Sequence, residues 1–92
     1  MAGSLSARLR ALRDVAGITQ READRLAGVH RGHVWQIEEG GRTNPTVQTL
    51  SAFAALFGVS LDWLAAGRGE PPMDDAVRAA VALAREQRSE VA

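Results

Sequence analysis

The chain has 92 residues, enough for one domain around one modest hydrophobic core. Eleven cations balance eleven acids, so the protein is not generally basic; all the cations are arginine, which reads mainly as codon bias although arginine suits bidentate contacts to phosphate and guanine. With no cysteine there are no disulfides or cysteine-based zinc sites, and no apolar run approaches the ~20 residues that span a bilayer, so a cytoplasmic protein without membrane contact is expected.

Ser4 or Ser6 is placed to cap a first helix running to about residue 16. Leu5, Leu9, Leu12 and Ala16 form its apolar stripe, and Gly17 ends it. Arg8, Arg10 and Asp14 fall off the stripe, and Arg8, like Arg25, reads as a solvated charge. The arginine-rich, acid-poor start is better explained by this helix than by a transit peptide. Thr19 caps a second helix over residues 20–26, and Gly28 lets the chain turn past its end. A third helix is expected over residues 31–38, ending at Gly40. Val34 and Ile37 share its inner face; Arg31, Gly32, His33, Trp35 and Gln36 lie on the other. Glycines, Asn44 and Pro45 make residues 40–45 a loop. Thr46 caps a fourth helix to residue 57, whose buried face is expected to be Val47, Leu50, Phe53, Ala54 and Phe57. Ser60 caps a short fifth helix over residues 61–66, and Gly67 stops it. Residues 68–72 form a hinge rich in glycine and proline. A last helix follows from about residue 74 to 89, with Asp74 and Asp75 at its start and Arg85 and Arg88 near its end, matching the helix dipole. Its thin stripe of Val77, Ala80, Val81 and Ala84 is too small to fold alone. It must dock on its own domain or pair with another subunit, and dimer contact is the preferred expectation.

The cations are clustered. Arg8, Arg10, Arg13, Arg21, Arg25 and Arg31 face only Asp14, Glu22 and Asp24 in the first 31 residues. A particular series of residues runs through this part and beyond: Gly17-Ile18-Thr19-Gln20, Gly28-Val29, Val34, Ile37-Glu38 and Gly40. It continues with Asn44-Pro45, Leu50, Phe53-Ala54 and Phe57-Gly58-Val59-Ser60-Leu61-Asp62-Trp63-Leu64. In this order and at these spacings the chain resembles the phage repressor and Cro-like helix-turn-helix family (Xre-type transcriptional regulators) from about residue 5 to residue 67. The resemblance implies an all-α fold: a five-helix repressor-like DNA-binding domain over residues 1–67. The hinge over 68–72 and a C-terminal helix over 73–92 are added to it. It also implies that Arg13 pairs with Glu38, clamping the first helix to the third, and that Gln20 braces against phosphate.

Phosphate contacts fix register and base contacts specify sequence. Base readout is expected from Arg31, Gly32, His33 and Gln36. Arg31 suits guanine O6 and N7, Gln36 suits adenine N6 and N7, and Gly32 permits close approach. His33 donates or accepts and is pH-sensitive. Phosphate contacts are expected from Arg10, Gln20, Arg42, Thr43, Asn44 and Thr46, helped by the helix N-termini at Gln20 and Thr46. Trp35 either touches a sugar or base edge or packs over the fourth helix or a loop; partial packing is favoured. His30 and His33 lack an obvious third ligand, so no metal and no cofactor are expected. The family pattern has a leucine-alanine pair where this chain has Ala23-Asp24. A buried Asp24 needs a partner: either backbone N–H groups at the start of the third helix or Arg31.

No nucleophile–base pair, paired carboxylates or phosphate-cradling loop marks an enzyme. The expected function is sequence-specific binding of double-stranded DNA by a small regulator, a repressor acting as a homodimer. The alternatives are an antitoxin-type protein that also binds a toxin partner, and a protein-interaction module that has lost DNA binding.

Overall fold

The computed structural model describes residues 3–41 and 44–91. Among them are six helices and no strand: α1 Leu5–Ala16, α2 Gln20–Ala27, α3 His33–Glu38, α4 Val47–Phe57, α5 Leu61–Ala66 and α6 Asp74–Val91. None of these is long and apolar enough to cross a membrane. The starts follow local chemistry. The hydroxyls of Ser4, Thr19, Thr46 and Ser60 accept from the N–H groups of Ala7, Glu22, Thr49 and Trp63, replacing helix partners that the first turn lacks. Ser4, then, is the first cap; Ser6 instead donates to the Glu38 carbonyl at 3.0 Å. The stops are equally local. At Gly28 the backbone turns left-handed (φ 76°), and the Val29 N–H reaches back to the Asp24 carbonyl at 3.1 Å. A side chain would be strained there, and this reversal sends the chain from α2 towards α3.

The core is built on α4. Phe53 and Phe57 are fully buried, together with Leu9 of α1, Val34 of α3 and Leu64 of α5. Burying each phenylalanine stabilises the fold by roughly 1.5–3 kcal/mol. α1 packs on α3 and α5, α2 packs on α3 and α4, and α4 packs on α5 as well. One expected core residue is not in the core: Val47 is 67 % exposed, and Leu56 is buried in the same helix. Val47 is the first helical residue, and the cover on α4 lies towards its other end, where Ala80 of α6 sits against Gly58.

The apolar stripe of α6 lies on its own domain. Val77 and Val81 are buried in the core of their own chain, with Ala84 partly buried against it, and α6 packs on α1, α2 and α4. The segment over 68–72 turns the chain back, and Pro71, Pro72 and Val77 line one small surface pocket with Leu12 and Trp63. At the far end Arg85 forks onto Glu22 of α2, with Nε and Nη2 at 3.0 and 3.1 Å from the two carboxylate oxygens. The residues placed against α6 were all present in the sequence, but a stripe of four small side chains does not say which surface will cover it.

Candidate nucleic-acid interface

The expected third helix begins two residues late. Arg31 and Gly32 form a turn, and α3 starts at His33, with Gly32 at the cap position in a left-handed conformation (φ 100°). A Cβ on Gly32 would meet nothing within 4 Å, so its need for glycine is conformational and not a matter of space. Gly32 brings no side chain to cap the helix. Asp24, reaching across from α2, does so instead. It is 3 % exposed, its Oδ2 accepts from the Gly32 N–H at 2.8 Å, and its Oδ1 accepts from the Val34 N–H at 3.0 Å. Of the two partners open to Asp24, the backbone is the one it takes; no ion pair joins it to Arg31 among the described residues.

This arrangement brings Arg31, Gly32, His33 and Gln36 around one shallow surface depression. Arg31 and Gln36 are exposed, and His33 is half-buried. Behind them Val34 and Ile37 are buried, which fixes the rotation of the helix. Trp35 is 50 % exposed, and its partial cover comes from Gly40, just past its own helix: a Cβ there would meet the Trp35 ring at 3.1 Å. His30 and His33 face a broader groove beside Gln48 and Thr49 of α4, and no group of three metal-ligating side chains occurs among the described residues.

The other end of α3 is clamped. Arg13 of α1 donates from Nε to Glu38 Oε2 at 2.8 Å and from Nη2 to Oε1 at 2.7 Å, and from Nη1 to the Ile18 carbonyl at 3.0 Å. This two-point fork is stronger and more directional than a single contact. Burial alone would push the Glu38 carboxyl up. The hydrogen bonds from Arg13, Gln20 and Arg10, with the Arg13 charge, outweigh burial and hold it below the ordinary carboxylate value.

The residues expected at phosphates divide into two groups. Arg10 and Gln20 meet at the end of α3. Gln20 Nε2 donates to Glu39 Oε2 at 2.7 Å and to Glu38 Oε1 at 3.2 Å, while Arg10 Nε donates to Glu38 Oε1 at 3.2 Å. Asn44 and Thr46 are exposed at the approach to α4, where the Thr46 hydroxyl is hydrogen-bonded to Thr49. Arg42 and Thr43 lie outside the described residues.

Two contributors escape a reading of the sequence. Glu39 is the first, an acid beside the side chains meant for phosphate. Arg8 is the second, and it corrects the expectation of a solvated charge. It is 5 % exposed and donates to the carbonyls of Leu64, Ala65 and Gly3 at 2.8, 3.0 and 2.6 Å. The signal for Arg8 was its register: it lies three residues after Leu5 and four before Leu12, on the inner face of α1. Its residue type argued otherwise. Arg25, by contrast, remains exposed.

A family model described as helix-turn-helix matches residues 9–64, more than half of the chain, from Leu9 in α1 to Leu64 in α5. No curated protein and no solved structure matches it. The match spans α2, the turn at Gly28 and α3, the elements that form the depression and its clamps. By this match and this geometry, the chain belongs to the helix-turn-helix family of Cro/CI-like, Xre-type DNA-binding transcriptional regulators.

Proposed function

We propose that the protein is a repressor that reads a pseudo-palindromic operator as a homodimer, acting in the cytoplasm by binding and not by catalysis. The observation that carries the reading is the exposed depression lined by Arg31, Gly32, His33 and Gln36, held from both ends by Asp24 and by the Arg13–Glu38 fork. A backbone fixed in this way loses little freedom on binding. Arg31 takes guanine O6 and N7, and Gln36 takes adenine N6 and N7. His33 offers a further donor or acceptor, and Gly32 lets the duplex approach the backbone. Arg10, Gln20, Arg42, Thr43, Asn44 and Thr46 hold phosphates on either side. Two copies place their α3 helices about one helical turn, ~34 Å, apart on the duplex. The α6 stripe is used within its own chain, so a second copy docks through another surface.

Selection from a random DNA pool tests this, repeated with Arg31→Ala and Gln36→Ala. The expected result is a two-fold symmetric site in which each substitution relaxes one base position per half-site, by about 1–3 kcal/mol. If nothing enriches even at low salt, where phosphate attraction is strongest, the operator reading fails. The same face would then be sought as a docking surface for a protein.

A further inference from the structure

We propose that Asp24, which cannot itself touch DNA, determines which bases the protein selects, by fixing the turn over residues 31–33 through which Arg31 and His33 reach the groove. The inference rests on the DNA-reading role of Arg31, Gly32, His33 and Gln36.

The argument begins with the length of α3. Six residues are too few for a helix to hold its own shape in water. Its far end does not need to, because the Arg13–Glu38 fork and the buried Ile37 hold it. At its near end Val34 is buried, but the bend that precedes it has no cap from its own side chains. Gly32 has no side chain to cap with, and glycine is the residue least able to keep one backbone conformation by itself. Arg31, just before it, is exposed.

Asp24 supplies the missing constraint. One carboxylate oxygen holds the N–H of Gly32, within the bend, and the other holds the N–H of Val34, inside the helix. The carboxylate therefore straddles the bend and sets the angle at which the chain enters α3. The two bonds, at 2.8 and 3.0 Å, come from one side chain, so they fix both N–H groups relative to each other. Asp24 is rooted in α2, between the buried Ala23 and the core residue Leu26, so the constraint comes from a rigid element. The same carboxylate fills the N-terminal end of α3, leaving the helix ends at Gln20 and Thr46 for phosphates.

A base contact is directional: a shift of about 1 Å is enough to spoil a positioned constellation. Releasing the bend therefore moves Arg31 and His33. It moves Gln36 much less, because Gln36 lies between the buried Val34 and Ile37, two residues before the Glu38 clamp. The resulting signature is selective. Preference is lost where Arg31 and His33 read and kept where Gln36 reads. The salt dependence of binding stays unchanged, because no phosphate contact is altered.

The test compares base preferences at each operator position for Asp24→Asn and Asp24→Ala. Arg31→Ala, His33→Ala and Gln36→Ala first map which positions belong to which residue. Asparagine keeps one acceptor oxygen but turns an amide NH2 towards the second N–H, so it loses one of the two bonds. The folded fraction is followed by circular dichroism, and affinities are referred to folded protein. Where Asp24→Ala does not fold, Asp24→Asn and Asp24→Ser carry the comparison. The expected result is a loss of preference of about tenfold at the Arg31 and His33 positions, within the usual worth of a base contact. The Gln36 position and the salt slope should match the wild type. The proposal is overturned if the folded variants keep the wild-type preference at every position, which would make Asp24 a stabilising residue alone. It is also overturned if they lose the Gln36 position equally. The wild-type selection separates the two readings. If it enriches a site and the Asp24 variants select the same one, only the role of Asp24 falls; if it enriches none, the DNA-reading assignment falls and takes this inference with it.

Discussion

Arg8 offers the sharpest test of how this fold is held together, because a charged side chain inside a small domain either earns its place or costs stability. Replacing it by alanine removes a guanidinium that donates to the last carbonyls of α5, Leu64 and Ala65, and to Gly3. α5 is only six residues long, and carbonyls at its C-terminal end lack helix partners. A hydrogen bond to a charged donor contributes about 1.5–3 kcal/mol, and a buried acceptor left without one costs about 1–3 kcal/mol. The deletion leaves the Leu64, Ala65 and Gly3 carbonyls without this charged donor. We expect Arg8→Ala to lower unfolding stability by about 2–4 kcal/mol, a large share of the 5–15 kcal/mol typical of a domain. Arg8→Met, which restores volume but no donors, should recover only part of it. Urea unfolding followed by the fluorescence of Trp63, buried in α5 beside Leu64, measures both. An Arg8→Ala protein within about 0.5 kcal/mol of wild type, as for an ordinary surface substitution, would refute the reasoning.

Gly32→Ala places a Cβ in open space but in a left-handed backbone, so it should cost about 1–2 kcal/mol without a packing defect, read as a lower urea midpoint at unchanged slope. Glu38 has a depressed pKa in the folded protein, so the stability it contributes is present above its ordinary value of 4.5 and is lost as pH falls below that through the folded value. Denaturation midpoints from about pH 7 down to about pH 3 should show this loss, and Arg13→Met should flatten it; an equal acid loss in the variant counts against the fork as its cause. Glu39 holds the Gln20 amide and lies 3.9 Å from Arg10, so Glu39→Gln should loosen both towards phosphate, with their contacts to Glu38 remaining. Fluorescence anisotropy should then show tighter binding to the enriched site and to an unrelated duplex alike, with a salt slope steeper by about one. An unchanged slope and affinity would place Gln20 and Arg10 away from the DNA.

Most helix borders were legible in the sequence, the start of α3 being the exception. Ser4, Thr19, Thr46 and Ser60 start helices because a hydroxyl can reach an N–H three residues on, and Gly17, Gly28, Gly58 and Gly67 end them because they alone turn left-handed cheaply. Such chemistry lies within a few residues and needs no tertiary partner. The apolar positions at helical spacing were legible for the same reason, except at Val47, where the stripe runs past the end of its cover. The candidate reading residues followed from the two faces of α3, but their shared depression depends on a bend at Gly32 that the periodicity continues straight through.

What escaped the sequence was the burial of Arg8, the choice between the two partners of Asp24, and the cover of the α6 stripe. Arg8 is 56 residues from the carbonyl it caps, and Asp24 had two chemically reasonable partners, of which the folded chain supplied the backbone. The α6 stripe fits a second subunit as well as its own domain until Gly58 and the α4 surface are in place to receive Ala80. Local sequence sets which backbone conformations and faces are favourable. Whether a charge can be buried, or a thin apolar face satisfied at home, depends on what distant segments bring within a few ångströms, and that is settled only when the chain has packed.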